Sequence, residues 1–366
     1  MEKGKKNQNM EIEHNSQFYI KINPNNENIP MEEEIEDNKP NKKDFKSNSI
    51  KFKTTKSSTE LNTSTATNYS NNLKSIDQSI NSNNDNNKLV LYHPIFKIDN
   101  SKSNYNYLYD LEYFDEIYMN LLLDENNTKL CINKEYMKNQ KDINISMREI
   151  LVDWLIEVHY HLNFKRKTLY QTILIIDLYL SQTKVQKVKL QLLGIASLLI
   201  SCKENEICYP KLEQFINLTN NAYMKKDLLK MEIQILQTLN FDILSPTTEE
   251  FYNILSKVFN FDKIQNFFGE YFMDSSLIDY EILKYKPSVI AAACAYVVMK
   301  FYKIDRYKEL YSYKIIMENS PERVIKNCAR ELCFFVKNLS KSSLQTTRIK
   351  YSLEEYGNVT EQCENK

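Results

Sequence analysis

Glycine is nearly absent: the 366 residues hold four, Gly4, Gly194, Gly269 and Gly357. Loops that cradle phosphate need glycines clustered in a tight turn, where the backbone must approach the ligand closely. These four are scattered, so P-loop, dinucleotide-binding and kinase-type glycine-rich architectures find no support. Proline is also scarce, at eight residues. The two shortages together favour long helices over many tight hairpins. The seven cysteines, at 131, 202, 208, 294, 328, 333 and 363, are odd in number and form no CxxC pair. That pattern argues against a disulfide framework and a structural zinc site, and suits reduced thiols of cytosol or nucleus. No apolar run reaches about 18 residues, so no membrane span is expected. The opening MEKGKKNQNM is polar and does not read as a secretory signal. An excess of one charge is missing too: 48 basic and 48 acidic residues give a formal net charge of zero. Nucleic-acid binding, which shows as a basic excess, has no footing in that balance.

What is present falls into two materials. The stretch from Asn41 to Lys88 is rich in Asn, Ser, Lys and Thr and has few large apolar residues. It cannot bury enough surface to offset its ordering entropy, and residues 1–104 are read as a disordered polar tail. Within it KKDFKSNSIKFKTTK, from Lys42, is basic: a solvated tail, or a nuclear-import or docking segment. From about residue 105 the pattern turns helical. Phe114, Ile117, Tyr118 and Leu121 recur at i, i+3, i+4 and i+7. Further helices are expected over 147–161, 167–182, 187–203, 211–218 and 223–239, then 248–259, 263–278, 287–302, 306–314 and 321–338. Pro246 and Pro287 stand where a helix should start, which suits the fixed φ and missing donor of proline. Two sets of five helices suggest an all-α chain with a duplicated unit, over 105–244 and 245–366.

Three segments carry chemical information. In SMREILVDWLIEV, Ser146 and Glu149 fit a capping box, and Met147, Leu151, Trp154 and Val158 share one helix face. On periodicity alone that face is a core stripe. KLQLLGIASLLISCKE is apolar nearly all round and should be central, with Gly194, Ala196 and Ser197 permitting close approach. Lys203 ends one of its apolar stripes. In KKDLLKMEIQILQTLNF, Glu232 lies on the apolar side, four residues after Leu228 and four before Leu236. A carboxylate there is costly unless paired, and Lys203 is a natural partner if the third and fifth helices are neighbours. The residues alone leave open whether that pair is internal or binds a partner.

These segments, with others, resemble one family. MREILVDWLIEV is similar to the MRAILVDWLVEV signature of the cyclin box. KLQLLG, SCKENE and KMEIQILQTLNF followed by SPT occur in family order. EYFDEIYMNLL resembles the helix preceding the box, KYKPSVIAAACAY the third helix of the second cyclin fold, and RIKYSLEEYGNVT the C-terminal tail of A/B-type (mitotic) cyclins. The resemblance implies two tandem five-helix cyclin folds with an N-terminal helix. It also implies a non-enzymatic regulatory subunit that binds and activates a cyclin-dependent Ser/Thr kinase in S phase or at G2/M. By match to the family, Lys203, Glu232, Ile117 and Phe241 contribute to the kinase-binding surface, with Glu204 beside them. The family usually continues with an aromatic and two acids where this chain has Glu204, Asn205 and Glu206. Met147, Leu151, Trp154 and Leu190 match a shallow groove that docks Arg/Lys-x-Leu motifs of substrates and inhibitors, and Glu157 and Gln191 match its polar rim.

The resemblance implies no cofactor, no metal and no catalytic residue, and a nuclear and cytoplasmic protein with neither nucleic-acid nor membrane partners. A transcription-type cyclin or cyclin-fold scaffold is the alternative; the MREIL segment and A/B-like tail argue against it. A helical enzyme would need a site, but His159 and His161 stand two apart and share no helix face. The Arg-x-x-Leu destruction motif usual in mitotic cyclins is missing ahead of the box, since the first arginine is Arg148.

Overall fold

The structure, a computed structural model, describes residues 113–126, 132–311 and 315–364. The expected tail over 1–104 lies outside the described residues. No strand occurs among those described, and the helices follow the sequence periodicity closely. We label them α1 (Phe114–Glu125), α2 (Ile145–Leu162), α3 (Arg166–Gln182), α4 (Leu190–Asn205), α5 (Leu212–Asn217) and α6 (Lys225–Thr238). There follow α7 (Thr248–Val258), α8 (Lys263–Ile278), α9 (Pro287–Phe301), α10 (Pro321–Leu339), α11 (Thr346–Tyr351) and α12 (Val359–Glu364).

Each half is built around its third helix. Residues 190–202 of α4 are all buried, and α9 is buried along nearly its whole length. A helix apolar on every side has no face for water, so the others pack around it: α3 and α6 against α4, and α7, α8 and α10 against α9. Gly194 allows part of this. A Cβ added to it would come within 2.8 Å of Leu151 Cδ1 on α2.

Three local expectations are corrected. The cap of α2 is Asn144, not Ser146: its Oδ1 accepts the Met147 N–H at 3.0 Å, and Ser146 lies inside the first turn. Asparagine caps as well as serine does and reaches the helix start first. Pro246 precedes the cap of α7 instead of opening the helix: Thr247 is the cap, and its N–H donates to Glu250 at 2.9 Å. The helix expected over 306–314 is a 3₁₀ segment, Asp305–Tyr311. Its three-residue turn brings Arg306 and Glu309 together at 2.9 Å.

Buried charges join the two folds. Arg148 on α2, 1% exposed, bonds Asp177 on α3 at 2.7 and 2.8 Å and donates to the Leu277 and Ile278 carbonyls at the end of α8. Asp274 on α8 is fully buried and accepts from Arg166, Tyr170, Lys350 and Tyr351 at 2.7–2.9 Å. Burial alone would push its carboxyl up, but Arg166 and Lys350 outweigh that and hold it well below the usual range. α1 is tied to the second fold. Its Tyr118 hydroxyl donates to the Ile315 carbonyl at 2.9 Å, and Glu125 accepts the Ser288 N–H at 2.7 Å at the start of α9.

Candidate functional site

Lys203 closes the last turn of α4, and Glu232 sits mid-way along α6, where the two helices pack. Their ion pair measures 2.5 Å. Glu232 is 8% exposed as a residue, whereas the Lys203 side chain is 39% exposed. The carboxylate is therefore held in the helix contact and the ammonium at its open edge. Lysine reaches that edge by laying its aliphatic stem along apolar surface.

Large apolar side chains are exposed at Ile117 on α1, Ile233 on α6, and Phe241 and Leu244 on the linker that follows α6. Phe241 is 69% exposed and has φ 59°. A bulky residue in left-handed backbone is uncommon and strained. Glu204 is exposed. Asn205 and Glu206 turn inward instead. The Asn205 Nδ2 donates to Gln171 Oε1 and to the Ser201 carbonyl. Glu206 takes the Lys165 N–H at 2.8 Å and the Thr168 hydroxyl at 2.5 Å at the start of α3.

The second set of residues lies where α2 meets α4. Leu151 is fully buried, resting on Gly194, and Trp154, Leu190 and Gln191 are 2–3% exposed. Met147 and Glu157 are half-buried, and Glu157 stands 3.8 Å from His161. In this face only Met147 and Glu157 present substantial surface; the other four form its floor. His159 is buried and its Nε2–H donates to the Lys165 carbonyl at 2.9 Å. Burial pushes its pKa down to about 4, so it is a neutral core histidine. No cluster of metal-ligating side chains occurs among the described residues, and no described helix is long and apolar enough to cross a membrane.

Residues 116–244 match the family model described as "Cyclin, N-terminal domain", and residues 246–365 that described as "Cyclin, C-terminal domain". The chain belongs to the cyclin family. Its relatives include Cyclin-B2-2 of Oryza sativa subsp. indica, 35% identical over 260 residues, covering 71% of this chain and 61% of the rice protein. Cyclin-B2-1 of Arabidopsis thaliana is 32% identical over 74% of this chain and 62% of its own length. G2/mitotic-specific cyclin-2 of Medicago sativa is 39% identical over 45% of this chain and 51% of its own length. The match thus spans less than two thirds of the B2 relatives' length. Among solved structures, a viral cyclin from herpesvirus saimiri superposes with a TM-score of 0.51 at 19% identity, covering 59% of this chain and 97% of the viral one. That likeness bears on the fold: tandem, all-helical cyclin folds.

Sequence reading missed several residues of this cyclin. Asp177 and Asp274 are acids inside apolar runs, ILIIDLYL and YFMDSS. They carry the same signal that singled out Glu232, and each is now paired in the core. Gln171 gave no signal, because its significance depends on which helix end meets it.

Proposed function

We propose that this cyclin is the regulatory subunit of a cyclin-dependent Ser/Thr protein kinase. It binds and activates the catalytic subunit as a heterodimer, docks its substrates, and acts in the cell cycle in S phase or at G2/M. The observation that carries this reading is the Lys203–Glu232 pair, set into an apolar helix contact with its ammonium open to a partner. The exposed Ile117, Phe241 and Glu204 supply apolar and charged area around it.

Activation is a population shift. The free kinase favours an arrangement in which its αC helix is displaced; the cyclin binds the active arrangement better and so draws the equilibrium toward it. Phosphoryl transfer belongs to the kinase, and this chain supplies binding energy alone. The face formed by Met147, Leu151, Trp154, Glu157, Leu190 and Gln191 takes Arg/Lys-x-Leu motifs: the half-buried Glu157 pairs with the basic residue and the Met147 edge takes the leucine. A nuclear and cytoplasmic location is part of the same proposal; the basic segment from Lys42 supports it as a nuclear-import or docking segment, against the reading as a solvated tail.

The test is affinity purification of the tagged full chain with a kinase assay on the eluate. A Ser/Thr kinase activity should co-purify, and Lys203→Glu should abolish it while the protein still melts cooperatively. A folded Lys203→Glu protein that retains wild-type kinase activity rejects the reading.

A further inference from the structure

A cavity of about 170 Å³ opens between α1, α3 and the linker joining the two folds, lined by Leu121, Gln171, Ile243, Leu244 and Pro246. Gln171 is 3% exposed, and its Nε2 has no hydrogen-bond partner among the described residues. The orientation of its amide is fixed by its neighbour. Asn205 Nδ2 faces the Ser201 carbonyl at 3.0 Å and must therefore be a donor. Its second contact, Gln171 oxygen, must be an acceptor. That leaves the Gln171 N–H as the free donor on a residue that lines the cavity. A buried donor without an acceptor is unfavourable unless a partner or a water completes it.

The cavity adjoins the proposed kinase-binding surface on three sides. Leu121 is one turn beyond Ile117 on α1. Ile243 and Leu244 stand two and three residues after Phe241 along the linker. Gln171 holds Asn205, two residues after Lys203. Its volume suits one side chain or a short stretch of main chain. The lip carries Asp124 and Glu250 against a single cation, Lys167, which pairs with Glu250 at 3.1 Å. That acidic lip disfavours a carboxylate and favours a neutral oxygen on an apolar body.

We infer that Gln171 is a recognition residue for the kinase: its Nε2–H takes an amide carbonyl oxygen that the catalytic subunit inserts between α1 and the linker, with apolar neighbours of that carbonyl resting on Leu121 and Leu244. The inference rests on the kinase-subunit reading. It adds a polar, position-specific contact to a surface otherwise made of one ion pair and apolar area.

The experiment measures the dissociation constant of the full chain for the kinase subunit that co-purifies with it, in wild type, Gln171→Met and Lys203→Glu. Methionine keeps the length of glutamine and removes the donor together with the oxygen that Asn205 donates to; Gln171→Glu, which keeps that oxygen and loses the donor, should weaken binding as well. Gln171→Met should bind about tenfold more weakly, with Lys203→Glu weaker still. Binding of Gln171→Met within about twofold of wild type while Lys203→Glu binds weakly overturns the inference and leaves the cavity to water. Undiminished binding by Lys203→Glu overturns the kinase-subunit reading itself, and this inference with it. If Gln171→Met does not melt cooperatively, Leu244→Ala decides. That side chain is 61% exposed, so the fold should tolerate its loss. Weaker binding upholds the inserted apolar contact, and unchanged binding rejects it.

Discussion

Asp153 on α2 receives the first N–H of α11, that of Thr346, at 3.2 Å, and the Thr346 hydroxyl at 2.9 Å. The helix that carries the proposed docking face thus also anchors the C-terminal tail. Burial pushes the Asp153 carboxyl up from 3.8 to about 6; the Thr346 bonds oppose this and the nearby Glu157 adds to it. A carboxyl with a raised folded pKa binds its proton more tightly folded than unfolded. Its contribution to stability is therefore greatest below about 4 and is lost as pH rises through about 6. Asp153→Asn removes this titration and keeps an acceptor for Thr346. The melting temperature of the variant relative to wild type should rise between pH 4 and pH 7, by an amount equivalent to at most roughly 3 kcal/mol. A pH-independent difference would refute the assignment.

Asp274 behaves in the opposite sense. Its carboxyl is held well below the usual range despite complete burial, because Arg166 and Lys350 face it. Its stabilisation is present above the unfolded carboxylate pKa and is lost only as pH falls far below it. Asp274→Asn should cost about 3–5 kcal/mol, since two cations lose their counter-charge in the core. Denaturant unfolding measures the loss, and hydrogen exchange should report it first in α11, which carries Lys350.

The proposed kinase surface predicts a charge pattern. Lys203→Glu and Glu232→Lys should each weaken kinase binding by about tenfold or more, and the double exchange should recover part of it. Titration of the kinase with the three variants measures this. Equal affinity across the set would remove the pair from the interface.

The docking face separates by burial. Met147 is half-buried, so Met147→Ala should change stability by no more than about 1 kcal/mol. It should selectively slow phosphorylation of Arg-x-Leu substrates relative to short peptides lacking the motif. Trp154 is 3% exposed, and Trp154→Ala should destabilise the fold by about 3–5 kcal/mol, slowing both substrates alike once the protein is partly unfolded. Calorimetry with two-substrate kinase assays distinguishes the two outcomes.

The sequence by itself determined the helices and their roles. Apolar positions at helical spacing mark α2 and α6, and the absence of any polar face on α4 makes it central. The sequence also marked Glu232 as needing a cation and offered Lys203 on condition that α4 and α6 are neighbours, a condition the packing meets. These properties reside in spacing and residue type, which are local. Tertiary structure decided what depends on elements meeting across the chain. Arg148 reaches carbonyls 129 and 130 residues away. α1, which precedes the first fold in sequence, is bonded to the second. The expected groove residues Leu151, Trp154, Leu190 and Gln191 became a nearly closed floor, because Gly194 lets α2 settle against α4. Gln171 acquired a free donor only because Asn205 occupies its oxygen. Hydrogen bonding and burial at those sites are set by the partner that arrives, and no period in the sequence encodes that partner.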